Sequence, residues 1–155
     1  MITESMTAQA TIDNAVRVAL FEHFAATGAA PRHDEIGART SLDRDEVKAA
    51  YRRLADTHVI VLAPGTDEIW MAAPYSAIAT PFRVHAGGRA YWGNCIWDAL
   101  GIVALRGGTG RVDFNCPNCG DPLAVDVRAG EPGGGDALVH FAVPAARWWD
   151  DIGFT

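Results

Sequence analysis

Four side chains in one short region have the types and spacing for soft-metal or acid–base chemistry: Cys95, Asp98, Cys116 and Cys119. The segment "YWGNCIWDALGIVAL", Tyr91 to Leu105, places Cys95 and Asp98 three residues apart at the start of an apolar helix. Asn94 is a good N-cap residue for that helix. A thiol in the first turn feels the positive end of the helix dipole, which favours the thiolate. Asp98, three residues on, shares its face. A soft nucleophile and a proton-transferring carboxyl therefore stand side by side. The alternative is a cysteine buried as a small hydrophobe beside an aspartate that favours the helix start.

"CPNCG", Cys116 to Gly120, holds the other two cysteines. C-x-x-C is half of a zinc ribbon, and the following glycine suits a knuckle turn. A structural zinc needs four ligands, and the chain has no second C-x-x-C. Cys95 as a third ligand and His85 or His140 as a fourth lack motif spacing. A thioredoxin-like redox role would follow a βαβ pattern, which is absent here. His140 alternates with apolar neighbours and reads as a sheet histidine. Trp148 and Trp149 read as packing residues, and Asp150 and Asp151 as a solvated face. The sequence carries no phosphate loop, no Ser-His-Asp arrangement and no dinucleotide fingerprint.

Composition bounds the rest. The 155 residues are 49% hydrophobic and 21% charged, enough for one domain or two small lobes. A net charge of -6 argues against a general nucleic-acid binder. No run of 18 apolar residues predicts a membrane span, and the N-terminus lacks the basic and apolar regions of a signal peptide. A cytoplasmic protein with reduced thiols is expected.

Two lobes are expected to position these side chains. Residues 1–80 read as a winged-helix-like helical lobe. Ile12, Val16, Ala19, Leu20 and Phe24 recur at helical spacing up to Gly28. "PRHDEIGART" fits a short helix with Ile36 inward. Ser41 or Asp43 caps a third helix with Val47, Ala50, Tyr51 and Leu54 on one face. "VIVLAPGTDEIWMA" reads as a hairpin turning at Pro64 to Asp67. Arg44, Lys48, Arg52 and Arg53 lie on the third helix, but the lobe holds seven basic and eleven acidic side chains, so DNA is not the expected partner. From Pro81 to Thr155 a small mixed or antiparallel sheet is expected, carrying one cysteine-bearing helix. "FRVHAG", "GRVDFNC", "PLAVDVRAG" and "ALVHFAVP" read as its strands, and a short helix starts near Pro144. The fold class is α+β.

The pieces "RAYWGNCIWDALGI", "GRVDFNCPNCGDPLAV" and "VHFAVPAARWWDDIGFT" resemble the alkylmercury (organomercurial) lyase family, best over 82–155. C-x-x-D in its helix context is the specific part. The resemblance implies cleavage of a carbon–mercury bond by protonolysis, giving a hydrocarbon and Hg(II), with no resident cofactor. Cys95 matches a mercury-binding thiolate, Asp98 the proton-handling carboxylate and a further candidate ligand to mercury, and Cys116 a further, structural cysteine. The family's second catalytic cysteine follows the "VP" segment, at or just beyond Thr155. Cys119, which the family pattern does not demand, is a candidate second thiol, and Cys116 with Cys119 a candidate site for zinc or mercury. Implied partners are an organomercurial substrate and cellular thiols or a mercury-reducing protein that receive Hg(II). Two other functions fit the residues: a thiol- or metal-responsive winged-helix regulator, and a relative that binds a soft metal without turnover.

Overall fold

A computed structural model describes residues 2–133 and 138–153, the first five of them by backbone alone. Helices come first and an antiparallel sheet follows, an α+β arrangement. The helices are α1 (Ile2–Thr27), α2 (His33–Thr40) and α3 (Arg44–Asp56). The strands are β1 (Val61–Leu62), β2 (Ile69–Ala72), β3 (Tyr75–Ser76), β4 (Phe82–Ala86), β5 (Arg89–Gly93), β6 (Gly110–Asn115), β7 (Pro122–Arg128) and β8 (Glu131–Pro132). Helix α4 (Ile96–Leu105) lies between β5 and β6, and a 3-10 helix (Ala145–Asp150) comes last. No described helix is long and apolar enough to cross a membrane.

Local chemistry explains the helix ends. The Asp43 carboxylate accepts from the N–H groups of Asp45 and Glu46 at 2.9 Å each, while the Glu46 side chain accepts from the Asp43 N–H at 2.8 Å. This reciprocal box satisfies donors that the first turn of α3 would leave unpaired. At the other end of α1, Gly28 adopts φ +79° and donates to the Phe24 carbonyl at 2.8 Å. A Cβ at Gly28 would stand 2.2 Å from the Ala90 carbonyl oxygen, so only glycine lets α1 end this close to β5.

One sheet runs through the molecule in the order β1-β2-β3-β5-β4-β6-β7-β8, and every neighbouring pair is antiparallel. The β1–β2 hairpin turns where the Pro-Gly pair predicts it, with the Ala63 N–H donating to Glu68 O at 2.8 Å. The helices and the sheet share one core. Phe24 of α1 stacks on Tyr75 of β3 at 5.3 Å, and Tyr75 meets Tyr91 of β5 at 5.7 Å. The Tyr91 hydroxyl donates to the Ala25 carbonyl at 2.9 Å, a partner that a buried phenol needs. Phe24 is fully buried. Phe24→Ala is therefore expected to cost about 3–5 kcal/mol in chemical denaturation, because it opens a void at the join of helices and sheet.

Alternation in β4 to β6 sorts the sheet's faces. Val84, Ala86, Tyr91 and Val112 are buried, and α4 covers that face with Ala99, Ile102 and Val103. Arg83, His85 and Arg111 point outward, and Arg111 pairs with Asp113 at 2.7 Å and Asp126 at 3.1 Å.

Two strands stand outside the expected set, and one expected strand is absent. Residues 89–93 form β5: "RAYWG" pairs along its whole length with β4. Tyr75 and Ser76 form β3, too short to leave a periodic signal. "ALVHFAVP" is no strand from Leu138 onward. Its side chains cover a cleft instead, and alternation alone does not distinguish a paired strand from an extended cover. The rest of that stretch, and the strand onset expected at the very end, lie outside the described residues wholly or in part. The short helix expected near Pro144 is the 3-10 helix, with Pro144 at its N-cap.

Candidate active site

The β5–α4 junction builds the site. Gly93 ends β5 against α4: a Cβ there would lie 2.7 Å from Ala99 N and 2.8 Å from Ala99 Cα. The helix can therefore start close to the sheet. Gly93→Ala is expected to cost about 1–3 kcal/mol and to lower activity, because the first turn of α4 must move away. A melting curve and a turnover assay on the same sample check it.

Helix α4 begins one residue later than the sequence suggests. Cys95, not Asn94, is the N-cap, in extended backbone at φ -139°, ψ -178°. Its sulfur accepts from the Asp98 N–H at 3.5 Å, and its carbonyl from the Ala99 N–H at 2.9 Å. Asn94 is thereby free to turn its side chain onto Asp98, donating from Nδ2 to Oδ2 at 2.9 Å. Asn94 Oδ1 is buried and makes no hydrogen bond among the described residues. Sequence reasoning assigned Asn94 to the backbone cap and so missed this contact. The signal available was an amide donor one residue before the N-cap and four before a carboxylate.

Burial governs the chemistry of both groups. It pushes the Cys95 thiol above its ordinary 9.0, against the opposing hydrogen bonds from the Asp98 and Trp97 N–H groups. The expected low-pKa thiolate is thus corrected: desolvation outweighs the helix start. Burial also raises the Asp98 carboxyl above its ordinary 3.8, and the Asn94 amide opposes the rise. The pair rests as a thiol beside a carboxyl that holds protons unusually well.

Both residues line a cleft of about 1150 Å³. Its wall is largely apolar, with Phe82, Ile96, Leu100, Phe114 and Val125 among the lining side chains. Segment 138–153 closes one side. Phe141 lies 5.2 Å from Trp148 and 6.4 Å edge-on to Trp97, and Trp149 stacks on His58 at 3.9 Å. The tryptophans expected to be simple packing therefore help form the wall, and Trp148 donates to the Val143 carbonyl at 2.8 Å. His140 lines the same cleft.

Cys116 also faces the cleft, whereas Cys119 is exposed and outside its lining. Hydrogen bonds from the N–H groups of Cys119 and Asn118 and from the Cys119 side chain draw the Cys116 thiol below its ordinary value. Cys119 is raised: the Asp121 N–H pulls it down, but the Asp121 carboxylate and Cys116 together push harder the other way. His85 sits on the outward face of the sheet, 3.6 Å from Asp113. Among the described residues no three or more His, Cys, Asp or Glu side chains gather as a metal cage. Among the described residues Cys95, Cys116, Cys119 and a histidine are thus not gathered as one ligand group.

The family model of alkylmercury lyase (MerB) matches residues 75–155, which contain all four chemistry-bearing residues. No curated protein matches the chain. A solved structure described as the mercury-bound form of MerB2 resembles it with a TM-score of 0.60 at 23% identity, over 79% of this chain and 58% of that one. The chain thus spans somewhat more than half the length of that relative, and the likeness shows a shared fold. Because the family model covers more than half of the sequence, the chain belongs to the alkylmercury lyase family.

Proposed function

We propose that this protein is an organomercurial lyase, with Cys95 binding mercury and Asp98 handling the proton. One observation carries the reading. A thiol and a raised carboxyl, joined through the Asp98 N–H, share an apolar cleft within the matched family region.

The steps balance as proton transfers. The Cys95 sulfur forms a bond to mercury of R–Hg–X, X leaves as an anion, and the thiol proton passes to the Asp98 carboxylate. Further thiolate coordination, from added thiol or another cysteine, makes the organic group more carbanion-like. Asp98 then protonates the carbon as the carbon–mercury pair moves onto it, and RH departs. Hg(II) remains on sulfur until exchange with cellular thiols or a mercury-reducing partner. The apolar wall suits an organic group and strengthens the electrostatics of both transfers.

The division into residues 1–80 and 81–155, and the winged-helix character of the first part, belong to the same proposal. Three helices followed by the β1–β2 hairpin support it. A DNA-binding role is disfavoured by the pairing of three of the four α3 cations. Arg52 holds Asp67 at 2.7 Å, Lys48 approaches the same carboxylate at 3.7 Å, and Arg53 holds Asp13 at 2.7 Å. These bridges leave little charge for phosphates. Neither the family match nor the structural likeness favours the regulator. The test is incubation with an organomercurial and excess thiol. Hydrocarbon and Hg(II) above the thiol blank support a lyase; none above the blank refutes it for these residues.

A further inference from the structure

The C-x-x-C turn has a construction that the Cys95–Asp98 chemistry does not use. Cys116 N–H donates to the Asp121 carbonyl at 2.8 Å, and Gly120 N–H donates to the Cys116 carbonyl at 2.9 Å. Gly120 closes the turn at φ +78°, where no side chain is crowded, so the glycine serves the backbone angle. This turn folds Cys116 and Cys119, three residues apart, back toward each other. The Cys119 thiol donates to Asp121 Oδ2 at 3.3 Å. A proton acceptor therefore stands beside the Cys119 thiol. The two sulfurs differ in access: Cys116 lines the cleft that contains Cys95, and Cys119 is exposed outside it.

Ligand number selects the metal. Zinc in a structural site takes four ligands. Among the described residues no group of three or more ligating side chains exists here. Hg(II) is soft and is satisfied by two thiolates in a linear arrangement, which a pair of adjacent cysteines supplies. We propose that Cys116 and Cys119 form a second soft-metal site, a dithiolate clamp for Hg(II) at the rim of the cleft, separate from the Cys95–Asp98 pair. Binding forms two sulfur–mercury bonds by thiolate exchange. The Cys119 proton leaves through the Asp121 carboxylate and the Cys116 proton passes to solvent, the two displaced thiolates take up these two protons, and nothing is oxidised or reduced. One sulfur inside and one outside make the clamp an exit port for the ion. That exit role rests on the lyase reading; the binding does not.

The experiment uses the full chain in a Cys95→Ser background, which removes the catalytic thiol. HgCl2 is titrated against a competing monothiol, and binding is followed by the ultraviolet sulfur-to-mercury band and native mass spectrometry. Cys95→Ser is expected to retain one equivalent of Hg(II). Adding Cys119→Ser, an exposed change that leaves the core untouched, should weaken retention by about 100-fold, because the second thiolate is lost from a preformed pair. Adding Cys116→Ser should do the same. Failure of Cys95→Ser to hold Hg(II), or retention within about twofold in the Cys119→Ser double variant, overturns the clamp. Stoichiometric Zn(II) surviving dialysis against a chelator overturns the two-coordinate assignment. Failure of the lyase reading registers separately, as absent hydrocarbon from the wild-type chain.

Discussion

Cys95→Ser is expected to lower hydrocarbon release from an organomercurial by on the order of 10³-fold or more while the protein stays folded. A hydroxyl is a hard ligand at neutral pH and does not replace a thiolate on mercury. The fold should survive because serine is an excellent N-cap: its oxygen can accept from the Asp98 N–H as the sulfur now does at 3.5 Å. The variant thus separates chemistry from helix formation. Gas chromatography of the released hydrocarbon and a thermal melt on the same preparation decide it. Activity within tenfold of wild type, with an intact melt, would remove Cys95 from the mechanism.

Asp98→Asn is expected to reduce turnover by about 10²–10⁴-fold, the usual weight of a positioned acid–base group. Its stability should move the other way. Burial raises the Asp98 carboxyl on folding, so the stability it contributes is fully present below the unfolded value. That contribution is lost as pH rises through the folded value, and at neutral pH the buried charge is a cost. Asparagine keeps the shape and the acceptor for Asn94 without the charge. The variant should therefore melt higher than wild type near neutrality, with the gap closing in acid. A lower melting temperature at neutral pH would contradict the assignment of burial as the dominant influence.

The same two shifts set the pH profile of the wild type. Below the raised Asp98 value the carboxyl is already protonated and cannot take the thiol proton. Above the raised Cys95 value the proton to be delivered has gone. The rate should rise through the first and fall through the second, with limbs above the ordinary 3.8 and 9.0 respectively. Because the groups touch, the limbs belong to the pair. Asn94→Ala removes the contact that opposes the rise at Asp98, and should carry the acid limb further upward.

Much of this was legible from residue spacing. The helical face of Val16, Leu20 and Phe24, the Asp43 cap and the Pro-Gly hairpin are local signals, and each formed where its chemistry required. Local signals were weakest where strands are short or where an apolar run had two uses. Tyr75 and Ser76 are too few to show a period, and the alternation in Leu138 to Val143 reports one apolar side without saying what lies against it.

The sequence by itself determined the identity and spacing of the chemical groups: a cysteine and an aspartate in the first turn of an apolar helix, then a C-x-x-C turn closed by glycine. Helical geometry and turn preference act over a few residues, so neighbours in the chain are enough to specify them. Only the tertiary structure decided which groups share a cleft and how they hold protons. Cys116, directly after β6, faces the space of Cys95, while Cys119 is exposed outside it. Burial raises the thiol that the helix start alone would lower. Desolvation depends on everything packed around a group, and that information lies in no single stretch of sequence.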